Sequence, residues 1–219
     1  MSTSSAGFEN PPSDCPLCPR LVEFRAGNQA AHPDFHNAPV ASFGPIDARL
    51  LVLGLAPGLK GANATGRPFT GDYAGDLLYD TLLRHGFARG TYAKHAGDGL
   101  TLVDCRIANA VRCVPPQNKP TPKEIATCRP FLVRELSAMT ELTAILCLGR
   151  IAHETALRTL GHKLKDHPFA HGAGHAVMLP TGARVTLVDS YHCSRYNTNT
   201  GRLTVAMFDA VFERLKQAL

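Results

Sequence analysis

RLLVLGLAPGLKGANATGRPFTGDYAG, residues 49–75, decides the fold. Arg49–Pro57 opens with a near-continuous apolar run and ends in glycine and proline. That is the pattern of a strand covered on both faces that passes into a loop. Six glycines and two prolines between Gly54 and Gly75 let backbone amides come close to a ligand. No G-K-[ST] closes this loop and no G-x-G-x-x-G pattern lies in it, which excludes the two common phosphate-binding turns.

Working outward, similar apolar runs occur at Leu100–Val111, Thr143–Gly149 and Arg184–His192. Helical patterns separate them. Leu78, Leu82 and His85 fall at helical spacing in Ala74–Phe87, with Gly86 as a stop. Thr121, Pro122 and Glu124 combine a cap, a first-turn proline and an acidic return contact, predicting a helix that runs toward Met139. Arg150–Leu160 and Thr204–Leu219 complete the set. Strands alternating with helices predict an α/β fold layered α/β/α, with ligands bound in loops at the carboxyl ends of the strands.

The 219 residues suit one such domain. The polar start, residues 1–14, reads as a flexible tail rather than a signal peptide, and 15–219 as the domain. No apolar run reaches membrane-spanning length. Lys and Arg number 23 against 18 Asp and Glu, a net charge of +5 that suits a nucleic-acid partner without requiring one. Seven cysteines, an odd count with no secretion signal, argue for reduced thiols in the cytoplasm.

Cys105 and Cys147 sit inside apolar strands and read as core residues. Cys15 and Cys18 form a C-x2-C pair in a polar segment with no core to fill. Cys113 and Cys128 are separated by 14 residues. Four thiolates suit either zinc or an iron–sulfur cluster; with one close pair instead of two, the cluster is favoured. Three segments leave strands and meet at one rim: Gly54–Gly75, with Phe69 and Asp72; Ile107–Pro116, with Asn109; and Ser190–Thr204, with His192.

The segments GLAPG, TGRPFTGD, NAVRCVPPQNKP and SYHCSRYNTNTGRLT resemble the motifs of family 5 uracil-DNA glycosylases, the type B enzymes, from Cys15 to about Thr204. The resemblance implies a central four-stranded parallel sheet and a [4Fe–4S] cluster on Cys15, Cys18, Cys113 and Cys128. It implies a monomeric, monofunctional enzyme acting on double-stranded DNA, with single strands as a further possible substrate. Such an enzyme receives a base rotated out of the stack and leaves an abasic site for excision repair. Uracil, hypoxanthine and xanthine are the expected bases.

Gly54, Ala56, Pro57, Gly58 and Phe69 then form the base pocket, and Phe69 supplies a stacking ring. Asn109 reads the base edge. His192 donates to the 2-carbonyl of the leaving base. Asp72 orients water or stabilises the sugar cation. Ser194, Arg195, Asn197 and Arg202 hold the DNA.

The chain departs from its relatives in two places. Family 4 carries a glutamate at the position of Leu55, and other families place Asp or Asn near Ala56; neither residue here is polar. Family members commonly read H-P-S where this chain reads His192-Cys193-Ser194, so the usual stiffening proline is missing. A non-catalytic or covalent uracil-binding protein on the same fold is the rival reading. Its characteristic basic insertion is absent between Gly75 and Leu100.

Overall fold

The computed structural model describes residues 8–219. Its strands are β1 (Leu50–Gly54), β2 (Ala88–Arg89), β3 (Thr101–Leu102), β4 (Cys105–Asn109), β5 (Ala144–Leu148), β6 (Gly174–Met178) and β7 (Arg184–Ser190). The helices are α1 (Pro19–Ala31), α2 (Ala62–Thr65), α3 (Tyr73–Arg84), α4 (Pro122–Ala138), α5 (Arg150–Thr159), α6 (Arg195–Asn199) and α7 (Val205–Ala218).

The main sheet runs β4-β1-β5-β7-β6. Its first four strands are parallel, as the apolar runs required. The fifth, β6, pairs antiparallel with β7 at the edge, so the sheet has one strand more than the expected four. Its sequence GHAVM is short and mostly partly exposed or exposed, which is why it carries no buried-strand signature. The run Leu100–Val111 is also not one strand. Asp104 adopts φ 50° and breaks it into β3 and β4.

Period-two alternation along β1 builds both cores. Leu50 and Val52 face Leu78 and Leu82 of α3 and Phe208 and Phe212 of α7. Leu51 and Leu53 face Leu132 and Leu136 of α4 and Ala152 and Ala156 of α5. These form the two helical layers. Cys105 and Cys147 are fully buried in them, and burial pushes both thiols well up.

Thr121 and Glu124 close the expected capping box on α4. Glu124 also accepts from Arg20 of α1 at 2.8 and 2.7 Å, so the helix carrying Cys128 is tied to the helix that starts beside Cys18. Of the expected tail, residues 1–7 lie outside the described residues. In the remainder, Pro11 is buried and Asn10 accepts from the Ser42 amide at 3.2 Å. Among the described residues no helix is long and apolar enough to cross a membrane.

Candidate active site

The carboxyl ends of β1, β4 and β7 open onto one cavity of about 430 Å³. Leu55, Ala56, Pro57 and Gly58 enter it from β1, Asn109 from β4, and His192, Ser194 and Arg195 from beyond β7. Phe69 and Asp72 come from the glycine-rich loop. Thus the three predicted segments do converge.

The glycines make the convergence possible. A β-carbon at Gly54 would stand 2.4 Å from Asn109 Oδ1 and 2.6 Å from the Phe69 ring, so only glycine lets both side chains lie over the strand end. Gly149 follows β5 at φ +98°, the left-handed region that favours glycine, and a β-carbon there would stand 3.6 Å from His192 Cβ, an ordinary contact.

Phe69 is buried and held at φ 52°, a backbone conformation that costs about 1–3 kcal/mol and persists only when its surroundings enforce it. The enforcement is visible. Tyr92 Oη donates to the Phe69 carbonyl at 3.3 Å, and Tyr79 Oη donates to that of Pro68 at 2.7 Å. Arg67 is buried beneath and makes paired bonds of 2.7 Å to Asp98, holding that carboxyl well below the usual carboxylate range. A β-carbon at Gly75 would lie 1.7 Å from the Phe69 carbonyl oxygen. Gly75→Ala is therefore expected to push α3 off the loop and cost about 1–3 kcal/mol, measurable by urea unfolding, with pocket function falling alongside.

Each polar side chain has a distinct condition. Asn109 is buried, and its Oδ1 has no hydrogen-bond partner, a state that costs free energy until a donor arrives. Asp72 caps α3, accepting from the Gly75 amide at 3.1 Å through Oδ1. Its Oδ2 lies over the loop glycines, within 2.4 Å of where a Gly61 β-carbon would be. Asp72 thus caps α3 through one oxygen while the residue lines the cavity.

His192 lies 6.0 Å from the Phe69 ring centre. Burial lowers its pKa, and the Asp72 carboxylate offsets this only in part, so the imidazole is neutral at neutral pH. Cys193 is fully buried, its thiol pushed well up by burial, and its Sγ donates to the Ala74 carbonyl at 3.4 Å. The thiol thus ties the His192 turn to α3 where a proline is usual.

The four residues expected to hold DNA divide. Arg195 is exposed at the mouth over Tyr73, and Ser194 lines the cavity while capping α6. The stretch read as a loop is therefore partly helical. Asn197 does not line the cavity. It donates to the His192 carbonyl at 2.8 Å and fixes that turn. Arg202 lies over Tyr191, also outside the cavity. Lys60 is exposed and does not line it either.

Sequence reading missed Tyr73 and Asn118, both of which line the cavity. Asn118 and Gln117 share φ 56°, a turn that swings the loop after Cys113 over the mouth. The dipeptide Gln-Asn between prolines was the available signal.

Cys15, Cys18, Cys113 and Cys128 line a second, apolar pocket with Leu21, Val111 and Phe131. Arg25 points Nη1 at Cys113 Sγ, 3.9 Å away. Burial, helped by neighbouring Cys128, pushes the Cys113 thiol up to about 12. Thiolates here need a bound cation. Among the described residues, the one group of three or more metal-ligating side chains with donors within 4.8 Å of one another is His153, His175 and Asp189. The cysteine sulfurs are therefore spread more widely than a single ion with bonds of about 2.3 Å requires.

A family model described as the uracil DNA glycosylase superfamily matches residues 41–216. The chain is 44% identical to the type-5 uracil-DNA glycosylase of Thermus thermophilus, over 93% of each chain. It is 42% identical to that of Mycobacterium tuberculosis, over 94% of this chain and 78% of the relative. With that of Pyrobaculum aerophilum it shares 36% identity, over 94% and 90%.

Proposed function

Since the chain belongs to the uracil-DNA glycosylase superfamily, we propose that its cavity takes a deaminated base out of DNA and hydrolyses the bond joining that base to its sugar. The observation that carries this reading is the meeting of Asn109, whose buried amide oxygen lacks a partner among the described residues, with Phe69, Asp72 and His192 on one cavity. Deamination turns a ring nitrogen that accepts hydrogen bonds into an N–H beside a carbonyl. Uracil, hypoxanthine and xanthine all present that N–H, whereas cytosine and adenine present a lone pair; guanine and thymine also carry such an N–H, so the acceptor sorts the deaminated bases from cytosine and adenine only. A fixed, buried acceptor satisfies the first group and repels the second. Its lone pair would otherwise stay unmet, and such mismatches carry large discrimination.

The remaining roles follow from position. Phe69 gives the extruded base a face to stack on, worth about 1–3 kcal/mol. As the glycosidic bond breaks, its electron pair moves onto the base, and neutral His192 donates an N–H to the carbonyl that gathers the charge. Asp72 Oδ2 faces the sugar side, where a carboxylate stabilises the developing cation and orients the water whose oxygen bonds to the anomeric carbon. That water keeps one hydrogen as the new hydroxyl and loses one proton, which balances the proton taken up by the released base. No lysine lines the cavity, which suits hydrolysis that stops at an abasic site. The small side chain of Ala56 on the cavity wall leaves space for purines. Arg195 at the mouth suits a phosphate of duplex or single-stranded DNA. A single chain working in the cytoplasm is sufficient for this role.

We also assign a [4Fe–4S] cluster to Cys15, Cys18, Cys113 and Cys128. The apolar pocket, the wide sulfur spacing and the cationic Arg25 support it. When bound, the cluster supplies a cross-link among the segments that bear these cysteines; the base chemistry needs no electron from it.

Cleavage of duplexes carrying uracil, hypoxanthine, xanthine, cytosine or adenine tests the reading. The first three are expected to be released and the last two kept. Intact inosine duplexes beside cut uracil ones would confine the function to uracil, and intact uracil duplexes would refute it.

A further inference from the structure

On the far side of β7 from the cavity, a second set of side chains has chemistry that base excision does not use. Asp189 of β7 is fully buried. Its Oδ1 lies 2.7 Å from His153 Nδ1 on α5, and its Oδ2 lies 3.3 Å from His175 Nε2 on β6. We propose that His153, His175 and Asp189 bind one divalent transition-metal ion of the zinc class, at a site separate from the four cysteines.

The tautomer of His153 drives the inference. Its Nε2 lies 2.9 Å from the carbonyl oxygen of His167. A carbonyl only accepts, so Nε2 carries the proton, and a neutral ring then presents the lone pair of Nδ1 to a carboxylate oxygen at 2.7 Å. Two acceptors at that distance require a cation between them, either a proton or a metal. Two donors on a tetrahedral zinc with bonds of about 2.0–2.2 Å stand about 3.4 Å apart, so the ion displaces the proton and opens the pair by roughly 0.7 Å. The carbonyl on the other ring nitrogen is the usual outer partner of a metal-bound histidine, fixing both tautomer and ring orientation.

His175 supplies a third donor, all three lying within 4.8 Å of one another. The ring of His167 lies edge-on to that of His175 at 5.5 Å. A surface pocket of about 310 Å³ is lined by His153 and His167, at the outer edge of the cluster; Asp189 and His175 do not line it. Arg150 and Lys165 on its wall favour an anionic or water ligand in the fourth position. Soft thiolates are absent from this donor set, and two imidazoles with one carboxylate suit zinc over calcium or magnesium.

Titrating Zn²⁺ into the purified holoprotein, with iron content and melting temperature followed together, tests the site. One equivalent is expected to bind and raise the melting temperature with iron unchanged. His175→Gln, a change on the edge strand, is expected to weaken binding by at least about tenfold. Asp189→Asn, at a buried position, is the second variant. If the wild-type protein takes up no zinc, or binds it equally well as His175→Gln, a proton alone bridges His153 and Asp189 and the proposal is wrong.

Discussion

Replacing His192 by alanine is expected to lower the single-turnover rate of uracil release by about 10²–10³-fold, the usual cost of losing one donor to a developing oxyanion. DNA affinity should change far less, because the donor acts on charge that grows only as the bond breaks. His192→Gln keeps an N–H in the pocket and should recover part of the loss. The pH profile gives a second, independent check. Burial, the larger effect, lowers the His192 pKa below its ordinary 6.5, with Asp72 opposing. The neutral donor therefore survives below pH 6.5, and the acid limb of the rate assigned to this group falls below that value. Stability has the same sign. The unfolded chain binds the proton first, so the contribution is complete above 6.5 and is lost as pH falls through the lowered pKa. Unchanged release by His192→Ala would remove the residue from the chemistry.

Cys113→Ser and Cys128→Ser are expected to lose bound iron and visible absorbance together, and to lower folding stability by more than about 4 kcal/mol, the range reached when a structural metal group is lost. The architecture explains why the effect should be large. Cys15 and Cys18 precede α1, Cys113 follows β4, and Cys128 lies in α4. Among the described residues these segments share few ties: the Arg20–Glu124 pair with its arginine partly exposed, the Arg20 bond to the Lys119 carbonyl, the Arg25–Cys113 contact and the small cluster around Leu21. Iron analysis and thermal unfolding of both variants decide the matter. Colourless protein of undiminished stability would show that the four thiols hold no structural cluster.

Much of this was readable from residue order, for identifiable reasons. Strands buried on both faces must be apolar throughout, so β1, β5 and β7 announced themselves, and Thr121-Pro122-Lys123-Glu124 spelled out a cap that forms as written. Convergence of Phe69, Asp72, Asn109 and His192 followed from their places after parallel strands. What stayed hidden depends on contacts distant in sequence. Nothing near Arg67 indicates that Asp98, 31 residues on, will clamp it. Edge strand β6 has no buried-strand pattern, and α1 has almost no amphipathic character to detect. Ser194 and Asn197 read as DNA contacts, yet their hydrogen bonds turn inward, capping α6 and bracing the His192 carbonyl. Polar residues in a loop advertise function and local scaffolding in the same letters.

Three of the seven cysteines, Cys105, Cys147 and Cys193, are sealed from solvent with thiols driven far from ionisation. A gentle alkylating reagent applied to the native protein should pass them by, even though Cys193 adjoins His192. Any label that is incorporated must then come from the other four. If those four hold the proposed cluster, counting adducts by mass spectrometry becomes a gauge of how many molecules in a preparation lack it, with no need to unfold them.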